Sequence, residues 1–181
     1  MLRLIIKIAF IAALVMAVSF FVSYRDIEHA EHVVFRAWSD LHGELQNLSN
    51  LIHRTIGQLE SSTQIQQSVQ EVNEARIRAN AVYLDLSQLE NRDQVHKFAQ
   101  AQKELRAALN RLLVLTADDP AWQSNQEFQS LRAQLEQTES RILAGEQNVN
   151  TFTESFNREI NTYPGMIVNN LVLHKDQKVN Y

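Results

Sequence analysis

The sequence predicts an all-α protein, with an N-terminal transmembrane helix followed by an antiparallel up-and-down four-helix bundle of long helices. The 181 residues include only 4 Gly and 2 Pro, whereas folds with sheets need frequent turn residues. Apolar residues recur at steps of three and four through most of the chain, which is the spacing of one helical face. Turn signals interrupt this pattern several times, so helices that fold back on one another are favoured over a single coiled coil.

Residues 1–23 form the predicted membrane anchor. Every residue in Leu4–Val22 is apolar or small except Lys7, and these 19 positions are close to the roughly 20 that a helix needs to cross a bilayer. The Lys7 side chain can extend its amine back to the head groups. A cleaved signal peptide is the alternative, with a small-x-small site at Ala17–Ser19. The apolar run continues at once through Phe20, which favours an uncleaved anchor.

The charges around this segment predict its orientation. Arg3 and Lys7 precede the segment, whereas Arg25 is the one basic residue between its end and Arg36, and acidic residues surround it. The excess of basic residues on the cytoplasmic side of membrane helices predicts a cytoplasmic N-terminus. The bundle, predicted over 24–165, would then lie on the extracytoplasmic side of a bacterial inner membrane.

The composition of the remainder excludes several classes of function. Residues 24–181 contain all 21 acidic residues and every basic residue except Arg3 and Lys7. With 15 basic residues, this part of the chain has a net charge of −6. The basic residues are scattered, whereas nucleic-acid binding needs a concentrated basic face, so no nucleic-acid partner is expected. The absence of Cys excludes disulfides, thiolate metal sites and a cysteine nucleophile.

Four apolar stripes define the predicted helices of the bundle. Because Gly43 is the one breaker between the anchor and the first stripe, these two are predicted to form a continuous rod. In chain order, the stripes comprise Val34, Trp38, Leu41, Leu45, Leu48, Ile52, Ile56 and Leu59; Ile65, Val69, Val72, Ala79, Tyr83 and Leu86; Val95, Phe98, Ala101, Leu105, Leu109, Leu112 and Leu115; and Phe128, Leu131, Leu135, Thr138, Ile142, Val149, Phe152, Phe156, Ile160 and Tyr163.

Polar residues and prolines mark the predicted boundaries of these helices. A turn is expected at 60–62, Asp118–Pro120 stops the third helix, and Pro164–Gly165 ends the fourth. The tail 166–181 is expected to pack on the bundle, and a segment that binds a partner or touches the membrane is the alternative. Capping boxes are predicted from Thr63 with Gln66, Asn91 with Gln94, and Ser124 with Glu127.

The residues that could carry chemistry form no recognisable site. His29 and His32 lie three apart on one helical face, which suits a divalent metal, but two ligands do not make a site and a solvated helix is the favoured interpretation. No nucleophile elbow, phosphate-binding loop or zinc-protease motif is present. No catalytic, cofactor-binding or metal-binding residue is therefore assigned, and a non-enzymatic protein without a cofactor is expected.

Four groups of segments have an order and spacing that together are specific. They are Ala37–Leu41 with Leu51–Ile52, Asn125–Phe128 with Leu131 and Gln134–Leu135, Glu139–Ile142, and Phe156–Gly165. With these segments the chain resembles the LemA family over residues 30–168. The family's Pro-containing aromatic tail is replaced here by Leu173–Asp176.

The resemblance implies an N-terminal membrane anchor, a helical up-and-down bundle and no established catalytic residues. Some relatives are encoded near membrane metallopeptidases, which implies a membrane-protein partner, with a metallopeptidase as one example. The first hypothesis is therefore a membrane-anchored adaptor or scaffold. A self-associating structural protein of the membrane, and so a homo-oligomer, is the alternative. A metal- or ligand-binding bundle ranks last, because the predicted inner faces are apolar throughout.

Overall fold

The protein is all-α. A computed structural model describes residues 2–59, 65–117 and 119–181, and no strand occurs in these ranges. Four of the helices described there have 16 residues or more. The elements are α1 (Leu2–Leu59), α2 (Gln66–Ala81), a short 3₁₀ turn (Leu86–Gln88), α3 (Arg92–Ala117), α4 (Pro120–Gln123), α5 (Gln126–Asn161) and α6 (Gly165–Val168), which continues into a π turn (Asn169–Leu173).

Helix α1 runs without interruption for 58 residues, as the predicted continuous rod requires. Its N-terminal part has a mean hydropathy of 2.6 and no buried residue, and within the described ranges α1 is the one helix long and apolar enough to cross a membrane. Residues 3–18 are all exposed, and other parts of the protein begin to shield α1 at Ser19 and Phe20. The apolar segment therefore projects from the helical body.

The core lies along α1, and every residue of its predicted stripe from Val34 to Leu59 is buried. Helix α5 packs along α1 over most of its length, while α2 packs against α3. The contact with α5 is close at Gly145, where a Cβ would lie 3.2 Å from Cδ1 of Leu41. Gly145 therefore leaves room for the Leu41 side chain between the two helices.

Helix α2 is shorter than its predicted stripe. It ends at Ala81, and Tyr83 and Leu86 lie beyond it with exposed side chains. The chain leaves the helix because Asp85 accepts a hydrogen bond from the backbone of Ser87, and the Gln88 side chain accepts one from the backbone of Asp85. Polar side chains here satisfy the backbone in a non-helical conformation, which outweighs the apolar periodicity.

Helix caps were predicted with mixed success. The Asn91 carboxamide oxygen accepts from the backbone of Gln94 at 3.2 Å, so the cap of α3 is confirmed. The predicted cap of α5 at Ser124 is wrong, because Asn125 accepts from the backbone of Phe128 instead. Ser124 donates to the carbonyls of the preceding short helix α4. The predicted turn at 60–62, the Thr63 cap and Asp118 lie outside the described residues.

Besides Tyr83 and Leu86, three stripe residues were assigned wrongly to the core: Leu115, Phe152 and Tyr163 are exposed at 54%, 37% and 67%. On α5 the inward position falls to Thr153, which is fully buried, because a step of four from Val149 fits a helix as well as a step of three. The inner faces are also less apolar than predicted. The buried polar residues are Ser49, Thr55, Gln102, Thr116, Thr138, Thr153, Asn169 and Lys178.

Candidate functional site

A groove of about 1170 Å³ runs between α3 and α5. Its apolar lining includes Leu109, Leu113 and Val114 of α3 and Leu135 of α5. Within the described residues, the backbones of α3 and α5 make few close approaches, in contrast to α1 and α5. The Val114 side chain is 63% exposed, so the groove presents apolar surface to its surroundings.

One arginine bridges the groove. Nε of Arg106 on α3 donates to a carboxylate oxygen of Glu139 at 2.7 Å, and its Nη1 donates to Glu146 at 2.6 Å. Burial opposes the charge of Arg106, but the hydrogen bond and charge of Glu139, with the charge of Glu146, raise its pKa. A long charged side chain therefore sets the distance between the two helices and leaves its own charge neutralised inside the groove.

A second feature is the strap, His174–Tyr181, an extended segment that lies across α1 and α5. His174 adopts a left-handed conformation, with φ of 52°, and turns the chain out of the preceding π turn. The carboxamide of Asn157 then accepts from the backbone N–H of Lys178 and donates to its carbonyl, both at 2.8 Å. The backbone N–H of Val179 donates to the carbonyl of Leu89 at 2.8 Å.

Charged side chains hold the same strap to α1. Lys175 pairs with Glu28 at 3.1 Å and with Glu31, and Lys178 pairs with Glu31 at 3.2 Å and with Glu90. Burial opposes the ionisation of Glu31, but hydrogen bonds and charge from the two lysines lower its pKa. Burial likewise opposes the charge of Lys175, but Glu31 and Glu28 raise the pKa of its amine. The charged forms of Glu31 and Lys175 are therefore stabilised in the folded state.

The strap reaches the groove at Tyr181. The Tyr181 ring lies 5.5 Å from the ring of Trp38 and 6.2 Å from that of Phe98, between centroids. Burial, and then the charge of Glu146, raise the pKa of the Tyr181 hydroxyl. Because Tyr181 also lines the groove, the strap connects the ion pairs near the apolar segment with the α3–α5 groove.

The structure does not gather the histidines into a site. His29 and His32 are both exposed, and the described residues contain no group of three or more His, Cys, Asp or Glu able to hold a metal ion. Trp122 packs on Phe128 with ring centroids 5.3 Å apart, so it covers this end of the helical body. Arg76 is half-buried and donates to Asn73 at 3.1 Å.

The sequence profile of the LemA family matches residues 37–180, which is most of the chain. The chain belongs to the LemA family. The match includes α3, α5 and nearly all of the strap, so the groove and the strap both lie within the LemA region. No curated protein matches the sequence.

Sequence reasoning missed the residues that shape this LemA protein's groove and strap. Arg106 follows the apolar position Leu105 on α3, and the sequence alone predicts a solvent-exposed side chain there. Only the structure places Glu139 and Glu146 of α5 opposite it. Lys178 and Tyr181 lie in a segment without helical periodicity. Their spacing of three gave no signal either, because side chains in an extended segment alternate with a period of two.

Proposed function

We propose that this LemA-family protein is a membrane-anchored, non-enzymatic adaptor that binds an amphipathic helix of a membrane-protein partner in the α3–α5 groove. The observation that carries the proposal is an open groove with an exposed apolar strip, in which Arg106 is already engaged by Glu139 and Glu146. The apolar strip favours an apolar ligand face, and the two carboxylates that share Arg106 disfavour an acidic ligand at the groove centre.

The dimensions of the groove suit a helix. Its lining on α3 extends from Ala99 to Ala117, which corresponds to about 27 Å, or five turns, of helix. A helix places apolar residues at steps of three and four along such a length, which is the usual mode of helix-in-groove recognition. Lys103 and Glu136 also line the groove, and they provide polar partners for the hydrophilic flanks of the ligand helix.

The fold that we infer beneath this surface is an antiparallel up-and-down four-helix bundle of α1, α2, α3 and α5. Contacts between α1 and α5 support it, because later residues of one pair with earlier residues of the other. Asn47 donates to Thr138 at 3.2 Å, whereas Ile27, earlier in α1, lies against Gly165, beyond the end of α5. Ser49 and Asn80 provide a polar contact between α1 and α2.

The anchor in this proposal is the apolar N-terminal part of α1, embedded in a bacterial inner membrane with the bundle on the extracytoplasmic side. Its exposure, mean hydropathy of 2.6 and continuity with the bundle support an anchor over a free surface helix. The basic residues Arg3 and Lys7 support the orientation. A rigid connection would hold the groove at a fixed distance from the bilayer, where it would meet other membrane proteins.

The non-enzymatic role rests on where the perturbed ionisable groups lie. Glu31, Lys175 and Arg106 have shifted pKa values, and each is engaged in ion pairs that connect helices or the strap. Of these three groups Arg106 lines the groove, but an arginine keeps its proton in proteins and therefore does not act there as a general acid or base. The partner that we propose is a membrane protein, and a membrane metallopeptidase is one protein of this kind, as the LemA resemblance implies.

Site-specific photocrosslinking in the native membrane tests the proposal. A photoreactive residue replaces Val114 at the groove in the full-length protein, and Leu143 serves as a matched control because it is an exposed apolar residue outside the groove. We expect Val114 to crosslink to an amphipathic helix of one membrane protein, and Leu143 to give no such product. The charge change Leu113→Glu should abolish the crosslink.

Two results would contradict the adaptor. Equal crosslinking from Val114 and Leu143 would show that the groove has no selectivity. Crosslinks from Val114 only to other copies of the chain would favour the self-associating structural protein instead. In that case dilution of the protein within the membrane should remove the product.

A further inference from the structure

The base segment, Gly165–Leu173, consists of α6 and the following π turn and has two different faces. Gly165, Val168 and Asn169 are buried. The opposite face exposes Leu171 at 72% and Val172 at 62%. A short helical segment with one buried and one exposed apolar face lacks a covering partner within the described chain.

The base segment packs at the end of the body where the apolar part of α1 emerges. It contacts both α1 and α5. A Cβ on Gly165 would overlap the carbonyl oxygen of Glu159 in the last turns of α5 and would lie 3.4 Å from Cδ1 of Ile27 on α1. Ile27 follows Val22, the last residue of the apolar segment, by five residues, which is about 7.5 Å along the helix.

The shielding of α1 begins even earlier than Ile27. Ser19, Phe20 and Ser23 are half-buried, and Phe20 packs against the core, whereas residues 3–18 are exposed. The helical body therefore overlaps the last turn of the apolar segment Leu4–Val22. If that segment spans a bilayer, the base of the body lies at the level of the head groups.

The distribution of charged residues also supports a base segment at the level of the lipid head groups. No charged residue occurs from Tyr163 to Leu173. On α1, Arg25 and Asp26 are exposed beside the base, and Lys175 then pairs with Glu28 and Glu31 farther from the apolar segment. An uncharged base beside charged residues that follow the apolar segment matches the mixed polarity of a membrane interface.

We propose that the base segment is a second membrane contact, in which Met166, Leu171 and Val172 enter the interfacial layer of the bilayer that α1 spans. This inference rests on the proposed anchor. Tyr24 on α1 and Tyr163 before the base are exposed at this level and match the preference of tyrosine for the interface. Two contacts, one spanning and one interfacial, fix the tilt and rotation of the bundle, which a single helix leaves free.

The absence of Cys allows a direct test on the full chain. Single variants Phe10→Cys, Leu171→Cys and Tyr83→Cys carry a nitroxide label in phosphatidylethanolamine–phosphatidylglycerol vesicles. The three native side chains are exposed to a similar degree, at 71%, 72% and 68%. Collisions with oxygen, which concentrates in lipid, and with a nickel chelate, which stays in water, then report the surroundings of each label.

We expect Phe10 and Leu171 to favour collisions with oxygen, and Tyr83 to favour the nickel chelate. Tyr83 is a suitable aqueous control because nearby Asn80 contacts Ser49, about 40 Å along α1 from Val22. Val172→Cys should reproduce the result for Leu171→Cys, which guards against a local effect of one label.

Each other outcome overturns the proposal. A lipid signal at Phe10 with an aqueous signal at Leu171 would reject the second contact and keep the anchor. An aqueous signal at Phe10 would reject the anchor and the second contact together. Shielding of Leu171 that disappears when the protein is diluted in lipid would assign the base to contacts between copies of the chain.

Discussion

Helix α5 forms two junctions that differ in closeness. With α1 it forms a closed seam, in which Leu41 touches the position of Gly145 and Phe156 is fully buried. With α3 it forms a groove of about 1170 Å³, bridged by Arg106. The distance between packed helices depends on the side chains at the contact, so a glycine draws one pair together and an arginine holds the other apart.

This difference separates stability from recognition. The seam removes large apolar side chains from water, which is the dominant stabilising contribution in a helical protein. The groove leaves apolar side chains such as Val114 accessible, which weakens the fold locally but provides a surface for a partner. Changes in the seam should therefore alter the free energy of unfolding, and changes in the groove should alter binding first.

The largest effect should come from truncation in the seam. Phe156→Ala removes a fully buried ring, and we expect a loss of about 3–5 kcal/mol in the free energy of unfolding. Phe152→Ala, one turn earlier on the same helix, removes a side chain that is 37% exposed and should cost far less. Chemical denaturation of the full chain in detergent, followed by circular dichroism, measures both. Equal losses would contradict the assignment of Thr153 rather than Phe152 to the inner face.

Closing the space at Gly145 should have the next largest effect. Gly145→Leu forces new atoms against Leu41, and overpacking of this kind costs about 1–3 kcal/mol. Gly43→Leu is the matched control, because no atom lies within 4 Å of a Cβ there. It should stabilise α1 by up to about 1 kcal/mol through helix propensity. The thermal unfolding temperature should fall for Gly145→Leu and rise for Gly43→Leu. A shift of both in the same direction would contradict close packing at Gly145.

The bridge across the groove should contribute less than the seam. Arg106→Leu leaves Glu139 and Glu146 without their shared partner, and we expect a loss of about 1–3 kcal/mol, which is the usual range for an unsatisfied, partly buried group. Arg132→Leu breaks a more exposed pair with Glu136 and should cost about 0.5 kcal/mol or less. Denaturation of both variants measures the difference. If Arg106→Leu were neutral, the ion pairs would not hold the groove.

The strap should respond to pH by the smallest amount. The pKa of Glu31 is lowered in the folded state, so its stabilising contribution is present above about 4.5, its ordinary value, and is lost as pH falls through the folded-state pKa. The pKa of Lys175 is raised, so its contribution is complete below about 10.5 and is lost as pH rises further.

The variant Glu31→Gln tests this assignment. The difference in unfolding free energy between the wild type and Glu31→Gln should be constant near neutral pH and shrink as the pH falls below 4.5. Glu74→Gln is the control, because Glu74 forms an exposed pair with Arg78. A difference for Glu31→Gln that grows on acidification would reverse the sign and rule out the strap as the cause.

The sequence predicted the helical class and the inner face of α1, because a long uninterrupted periodic pattern leaves one consistent interpretation. Prediction from the sequence was less successful where a step of three and a step of four residues both continue the stripe. Phe152 and Thr153 both continue the stripe from Val149, and only contact with a neighbouring helix selects between them. Tyr83 failed for another reason, because capping by Asp85 ended the helix locally.

The candidate site lay further beyond the reach of sequence. Arg106 and its two carboxylates come from different helices, and nothing local marks them as partners. Lys178 is 5% exposed at its side chain and lies 5.5 Å from the centroid of the Phe35 ring, although lysine in an irregular tail normally indicates solvent. Such pairings depend on which helices meet and at what distance.

By itself, the sequence determined the apolar N-terminal segment, the long helices, most of the core residues and the membership of the LemA family. These follow from composition, period and motif, which are properties of neighbouring residues along one chain. The tertiary structure decided that α5 closes on α1, that it stands apart from α3, and that the strap connects Glu31 with Tyr181. These depend on side chains that are distant in sequence, and their energies exist only once the helices have packed.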